Sequence, residues 1–145
     1  MSSRWQTILL SAGLALSGAS VAADAQDLEF SSAWVRALPP GMGMTAGFGS
    51  LQNSGARELR LVAYSSPQFA SVSLHRTEIV DGVSRMREVQ ELRLGAGETL
   101  ELAPGGYHLM LMKPRGVVNA GEQVTVVMKA ADGAAFEFEL PVERR

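Results

Sequence analysis

Hydrophobic and polar residues alternate with a period of two along most of the chain after Gln26. The clearest stretch is Ala135–Val142, where Phe136, Phe138 and Leu140 are separated by glutamates. This alternation predicts a β-strand with one buried face, because successive side chains of a strand point to opposite sides. No window keeps apolar residues at helical spacing over three turns, so the pattern predicts strands rather than helices.

Two further segments show the same alternation, each next to a turn signal (Asn53-Ser54-Gly55 and Ala131-Asp132-Gly133). Their predicted core positions are Leu59, Leu61 and Ala63 in the first segment and Val124, Val126 and Met128 in the second. Turn signals recur about every 8 to 12 residues, which favours a two-sheet β-sandwich or a small barrel. Units of strand, helix and strand would need crossover helices that the pattern does not predict. We therefore expect a single all-β domain.

The first 25 residues have a different pattern. A short region carrying Arg4 precedes an apolar stretch from Thr7 to Leu16, and small residues continue to Ala25. This is typical of a Sec-type secretory signal, with cleavage expected after Ala22 or after Ala25. The apolar stretch is shorter than the ~20 residues of a membrane span, so we expect no stable membrane insertion. The predicted organisation is a signal peptide over 1–25 and one domain over 26–145.

Composition excludes several classes of function. The 145 residues include no cysteine, so disulfide frameworks, thiolate zinc sites, blue-copper centres and cysteine nucleophiles are excluded. Thirteen basic and fifteen acidic residues give a net charge of −2, which argues against nucleic acid as a partner. With two histidines and no nucleophile motif, only an unmarked Ser-His-Asp arrangement or a redox copper centre would support catalysis. We do not expect an enzyme.

The first histidine lies near a predicted hairpin. Asp-Gly in the middle of Val80–Val83 favours a two-residue type I′ turn. Pairing the ends of that turn places Glu78 opposite Arg85, which predicts a cross-strand charge pair. The same register places Met86 diagonally across from His75, on the same face of the hairpin. The apolar face of the incoming strand is formed by Ala70, Val72 and Leu74, so His75 is expected on the polar side.

The second histidine begins another alternating segment. His108, Met110 and Met112 share one face of the predicted strand. The opposite face, with Tyr107, Leu109 and Leu111, is the expected core face. Taken singly, a surface histidine is ordinary and a strand methionine is usually a packing residue. In combination, these imidazoles and thioethers predict a site for a soft or borderline metal ion.

One early loop, Ala37–Met44, contains two prolines and two glycines and cannot be an interior strand. Its Met42 and Met44 are either thioethers beside a functional site or packed or solvated side chains. A loop methionine is more often the latter, because methionine adapts readily to irregular surroundings.

The four residues His75, Met86, His108 and Met110 have the spacing H-x10-M-x21-H-x-M. This spacing resembles that of the periplasmic PCu(A)C copper chaperone family. The resemblance extends to Ala33–Arg36, Pro39–Gly41, Leu74-His75, Asp81–Val83, Arg85–Arg87 and Pro104–Met112. It implies a cupredoxin-like β-sandwich in the periplasm that binds one Cu(I) through His75, Met86, His108 and Met110. It also implies delivery of copper to an acceptor protein, towards the binuclear copper centre of cytochrome c oxidase.

The chemistry of these donors agrees with that implication. Thioether sulfur is a soft neutral donor that favours Cu(I), whereas hard cations prefer oxygen ligands. The histidines must be neutral to bind, so affinity should fall below the ordinary histidine pKa of ~6.5. The strand parity that admits Met110 also admits Met112. Some family members carry methionine directly after the first histidine, where this chain has Arg76, and some carry a His- and Met-rich tail. The alternative interpretation is an exported β-sandwich interaction module whose histidines and methionines are incidental.

Overall fold

A computed structural model of the chain describes residues 26–145, and the predicted signal peptide lies outside the described residues. Within this range the chain forms ten strands and no helix. The strands are β1 (Leu28–Arg36), β2 (Met44–Asn53), β3 (Leu59–Ser66), β4 (Phe69–Val80), β5 (Val83–Glu88), β6 (Leu92–Leu94), β7 (Thr99–Leu102), β8 (Tyr107–Pro114), β9 (Gln123–Ala130) and β10 (Ala135–Glu143). The described region has no helix long and apolar enough to cross a membrane.

The strands form one continuous hydrogen-bonded sheet in the order β5-β4-β8-β7-β2-β1-β10-β9-β3-β6. Two additional pairings, β4 with β3 and β8 with β2, close this sheet on itself. The result is a barrel-like β-sandwich whose interior is filled by side chains from every strand except β5, whose residues are all exposed. The predicted all-β, cupredoxin-like sandwich is therefore confirmed, with its two faces joined by shared strands. Strand β4 pairs with β3, β5 and β8, so it belongs both to the closed part of the sheet and to the hairpin that it forms with β5.

The β4–β5 hairpin has the predicted register. Val80 pairs with Val83, and the turn residues Asp81 and Gly82 have φ angles of 51° and 75°. Positive φ at both central positions identifies the type I′ turn that the Asp-Gly sequence favours. Thr77 pairs with Met86 in this register. The hairpin therefore places Met86 on the same face as the odd-numbered positions of β4.

The predicted charge pair between Glu78 and Arg85 is wrong. The two residues are paired in the ladder, but Glu78 lies 3.8 Å from the guanidinium of Arg76 and forms its ion pair there. The register of the strands determines which Cα atoms face each other, but the charged ends of long side chains can reach other neighbours. Solvent-exposed pairs of this kind contribute little to stability, so the choice has little effect on the fold.

The predicted core position at Ala63 is also wrong. Leu59 and Leu61 are buried as expected, but Ala63 is exposed and Tyr64 is half-buried instead. The ladder between β3 and β9 is irregular between Leu61 and Ala63. A bulge of this kind inserts one extra residue and reverses the alternation beyond it. The other two predicted strands, β9 and β10, keep their alternation throughout.

A second irregularity shapes the β1–β2 pair. The register shifts between Ser31 and Trp34, and Ser32 has a φ of 51°. Gly49 of the facing strand has a φ of 150°, and a Cβ atom there would lie 2.6 Å from the Phe30 ring. Only glycine fits this close approach. The bulge lets β1 continue to Trp34 and Val35, which are both buried.

Candidate metal centre

The predicted site residues lie on one face of three neighbouring strands. His75 in β4 pairs with His108 in β8 and, on its other side, with Glu88 in β5. Residues that are directly opposed in antiparallel strands point to the same side of the sheet. Two positions along β8, Met110 pairs with Ser73 of β4. The two histidines are therefore direct cross-strand neighbours, and Met110 is diagonal to His75.

His108 is buried, with 5% of its surface exposed. Its Nδ1 lies 3.1 Å from the carbonyl oxygen of Gly106, which is an acceptor only, so Nδ1–H donates this hydrogen bond. In a neutral ring the lone pair is then on Nε2. That atom is buried and has no hydrogen-bond partner within the described residues. A buried nitrogen without a partner is costly unless something else satisfies it, and a metal ion would do so.

A tight turn holds the carbonyl that orients His108. Ala103–Gly106 forms a type II turn in which Gly105 has a φ of 87° and the Gly106 N–H donates to the Ala103 carbonyl at 3.0 Å. The Pro104-Gly105 sequence suits this turn, because proline fixes the first central residue and glycine tolerates the second. The Gly106 carbonyl also accepts a hydrogen bond from the Thr77 N–H at 3.1 Å. The turn is thereby attached to β4 beside the site.

His75 is half-buried and has a polar neighbour on its own strand. Its Nε2 shares a 2.8 Å hydrogen bond with the hydroxyl of Ser73. The ring is nearly parallel to that of His108, with an interplanar angle of 25° and 6.0 Å between centroids. Burial lowers the pKa of His75, His108 lowers it further, and the Glu88 carboxylate partly offsets both by raising it. The net effect favours the neutral imidazole, which is the form that binds metal ions.

The two thioethers differ in exposure. Met86 is 62% exposed near the middle of β5, whereas Met110 is half-buried between its partners Ser73 and Ala46 on the neighbouring strands. Both nevertheless line the same groove, which has a volume of about 380 Å³. Residues 26–145 contain no cluster of three or more His, Cys, Asp or Glu side chains able to hold a metal. The donors that do lie together on this face are two imidazoles and two thioethers, and thioethers favour soft ions.

The predicted faces of β8 are confirmed for the core side, where Leu109 and Leu111 are fully buried. His108 is buried, although it lies on the face of β8 that was expected to be polar. Met112 shares its face and is half-buried, but it does not line the groove that contains Met86 and Met110.

Three neighbours of the site were not singled out from the sequence. Ser73 contacts His75, the Gly106 carbonyl contacts His108, and Glu88 faces His75 across the hairpin. The hairpin register already pairs position 88 with position 75, so Glu88 could have been identified. The spacing of two residues between Ser73 and His75 was a weaker signal. The hydrogen bond from His108 to the Gly106 carbonyl could not be predicted from residue types, because every residue has a main-chain carbonyl.

Comparisons with known proteins agree with this geometry. The family model described as "Putative lipoprotein LpqE-like" matches residues 28–142, which include nearly all of the strand-bearing region. The chain belongs to the LpqE-like family. This LpqE-like chain is also 38% identical over 120 residues to Putative lipoprotein Lxx21020 of Leifsonia xyli subsp. xyli (strain CTCB07). That alignment covers 82% of the chain and 71% of the relative.

Solved structures share the fold of this LpqE-like protein. The copper-bound PCuAC domain from PmoF2 matches with a TM-score of 0.67 at 20% identity, covering 82% of the chain and 94% of the domain. The solution structure of CuI-DR1885 from Deinococcus radiodurans matches with a TM-score of 0.65 at 32% identity, covering 85% and 84%. The resemblance to the PCu(A)C family is confirmed by these matches. Copper-bound structures thus exist among the relatives.

Proposed function

We propose that this protein is an exported copper chaperone that binds one Cu(I) through His75, Met86, His108 and Met110. The observation that carries the proposal is the buried Nε2 of His108, which has no hydrogen-bond partner among residues 26–145, while Nδ1 is held by a main-chain carbonyl. This arrangement fixes the tautomer in which Nε2 carries the free lone pair and can bind a metal ion. The adjacent imidazole and two thioethers complete a set of neutral soft and borderline donors.

The donor set suits transport rather than permanent storage. Thioethers need no deprotonation, so only the histidines couple binding to pH. Neutral ligands leave the positive charge of Cu(I) uncompensated, which should bind it less tightly than thiolates would. Met86 is largely exposed, so it is the donor that an acceptor protein would reach first. Stepwise replacement of ligands starting at Met86 would release the ion without unfolding the site.

The relatives support copper as the cargo and export as the setting. One matched structure is a copper-bound PCuAC domain, another is the Cu(I) form of DR1885, and the curated relative is named a lipoprotein. The N-terminal pattern over 1–25 supports a periplasmic location reached through a Sec-type signal. The resemblance to PCu(A)C chaperones supports an acceptor at the binuclear copper centre of cytochrome c oxidase. The same resemblance supports a role in binding and transfer without enzymatic activity.

The binding proposal is tested by anaerobic Cu(I) titration of residues 26–145 against a chromophoric Cu(I) chelator. Wild type should remove one equivalent of Cu(I) from the chelator. Met86→Leu keeps the volume and removes the sulfur, and it should weaken Cu(I) binding by at least about tenfold, since even outer neighbours of metal ligands change affinity on that scale.

The matched control for this titration is Met112→Leu. Met112 is a half-buried methionine on the same face of β8 but does not line the groove, so its replacement should change affinity less than about threefold. A wild-type chain that cannot compete for Cu(I) would contradict the proposal and favour an interaction module without a metal. Delivery is tested separately, by mixing the Cu(I)-loaded chain with a soluble apo acceptor domain without oxygen, separating the two proteins and measuring the copper bound to each.

A further inference from the structure

Four methionines line one groove beside the candidate metal centre. Besides Met86 and Met110, they are Met42, in the loop before β2, and Met44, the first residue of β2. Met42 is 55% exposed and Met44 is 50% exposed, so neither is held in the core. No acidic side chain lines the groove among the described residues, and its single charged residue is Arg36. The groove thus offers thioethers to a soft ion and no carboxylate to a hard one.

The loop that carries Met42 has a defined shape. Pro39–Met42 forms a type II turn in which Gly41 has a φ of 85° and the Met42 N–H donates to the Pro39 carbonyl at 3.2 Å. Next to it, the Gly43 carbonyl accepts a 2.8 Å hydrogen bond from the N–H of Lys113 in β8. The turn gives the loop its shape, and the contact between Gly43 and Lys113 attaches its end to β8.

Met44 is placed by the sheet itself. It is the first residue of β2 and pairs with Met112 of β8, one pair beyond Thr45 and two pairs from Ala46, which faces Met110. The Thr45 hydroxyl donates a 2.6 Å hydrogen bond to the Arg36 carbonyl, which holds the start of β2 against β1. Met44 therefore lies on the same face of the sheet as Met110, at the start of β2.

We propose that Met42, Met44 and Met86 form an auxiliary thioether site for Cu(I) at the mouth of the groove. The proposal rests on the proposed function, because Met86 is shared with the inner set of His75, His108 and Met110. An ion held by the sulfurs of Met42, Met44 and Met86 would move inward when it keeps its bond to Met86 while the imidazoles of His75 and His108 replace the sulfurs of Met42 and Met44. The reverse order would bring the ion to the surface for an acceptor.

Arg36 does not oppose this role directly. Its guanidinium lies 5.4 Å from the centroid of the Phe48 ring and 6.0 Å from that of Trp34. Aromatic faces attract cations, so this charge is held by rings at one side of the groove. Neutral thioethers occupy the remainder of the mouth, together with apolar loop residues.

The test uses Ag(I), a redox-stable soft monovalent ion, and residues 26–145 with methyl-labelled methionines followed by NMR. The inner set is weakened by His75→Gln. In that variant, Ag(I) should shift the methyl resonances of Met42, Met44 and Met86, while the fully buried Met128 stays unchanged as a reference for folding. Adding Met42→Leu and Met44→Leu should lower the remaining Ag(I) affinity by at least about tenfold, with the groove volume kept.

Met112→Leu in the same background is the matched control and should change affinity less than about threefold. The auxiliary site is overturned if the His75→Gln chain binds no Ag(I), if Met42 and Met44 do not respond, or if the two leucine substitutions leave affinity unchanged. Failure of the proposed function has a different signature in wild type. In that case the ring resonances of His75 and His108 and the methyl resonance of Met110 would not respond to Ag(I).

Discussion

At the scale of single residues, the site depends on how each imidazole is oriented. His108 is fixed by a main-chain carbonyl, which substitution of a side chain cannot remove. His75 is oriented by the hydroxyl of Ser73, which can be removed. Groups that orient metal-binding histidines change affinity even though they do not touch the metal. The Ser73 hydroxyl therefore offers a direct test of orientation.

We expect Ser73→Ala to weaken Cu(I) binding by about tenfold, the lower end of the range for outer neighbours of metal ligands. The measurement is the competition titration with a chromophoric chelator. Ser71→Ala is the control, because Ser71 lies on the same face of β4 and pairs with Met112 without contacting His75. Equal losses from the two substitutions would mean that the hydroxyl at position 73 has no orienting role.

A second prediction concerns pH. The pKa of His75 is lowered, chiefly by burial, so the unfolded chain binds a proton at this position more readily than the folded chain does. The folded apoprotein should lose stability as pH falls below ~6.5, and above that range His75 should contribute no pH dependence. Urea denaturation at a series of pH values checks this, and His75→Gln should flatten the dependence. A stability that rises on acidification through this window would contradict the assignment.

The residue pairing at the site could be predicted from the sequence, while several contacts could not. The period of the strands and the Asp-Gly turn were enough to place His75 and Met86 on one face. Glu78 shows the limit, because its long side chain turned to Arg76 rather than to its ladder partner Arg85. The burial of His108 depends on strands distant in sequence, and alternation along β8 carries no information about them.

At the scale of elements, the β4–β5 hairpin positions Met86 beside the histidines. Its register depends on a turn in which Asp81 and Gly82 both have positive φ. Turn type fixes register in a hairpin, and a slip by one residue would move Met86 to the opposite face. The hairpin was predictable because its signal is local. The bulge in β3 was not, because the register shift that exposes Ala63 is defined against β9, far away in sequence.

We expect Gly82→Ala to destabilise the fold by about 1 to 2 kcal/mol, because an L-residue resists the left-handed conformation at a φ of 75°. A Cβ atom there would meet nothing within 4 Å, so the cost is conformational rather than steric. Chemical denaturation measures the free energy of unfolding. Gly116→Ala is the control, since position 116 is also open and lacks a positive φ. Matching effects at the two positions would disprove the turn argument.

At the scale of the whole molecule, the groups that hold the barrel together lie apart from the candidate metal centre. Fully buried Asn53, at the end of β2, makes three side-chain hydrogen bonds. Its Nδ2 donates to the Arg57 carbonyl at 2.6 Å and to the Leu94 carbonyl of β6 at 2.9 Å, and its Oδ1 accepts from the Gly55 N–H at 3.0 Å. The sequence marked this asparagine only as part of a turn. Its long-range hydrogen bond to β6 exists only once the barrel has closed.

Asn53→Ala should lower the free energy of unfolding by about 2 to 3 kcal/mol, because buried partners would lose their hydrogen bonds. Affinity for Cu(I) should stay within about threefold of wild type in conditions where the variant is folded, since none of the affected groups touches the site. The exposed Asn119→Ala is the control for stability. A stable Asn53→Ala chain, or one that is folded but does not bind copper, would contradict this separation.

The central claim is that Cu(I) is held by two imidazoles and two thioethers, and X-ray absorption at the copper edge tests it most directly. The Cu(I)-loaded protein should show nitrogen and sulfur scatterers in equal numbers. Met86→Leu should remove one sulfur and leave the histidine signal in place, while Met112→Leu should leave the wild-type spectrum unchanged. A loaded protein without sulfur scattering, or one whose sulfur signal is the same after Met86→Leu, would contradict the assignment of these residues as copper ligands.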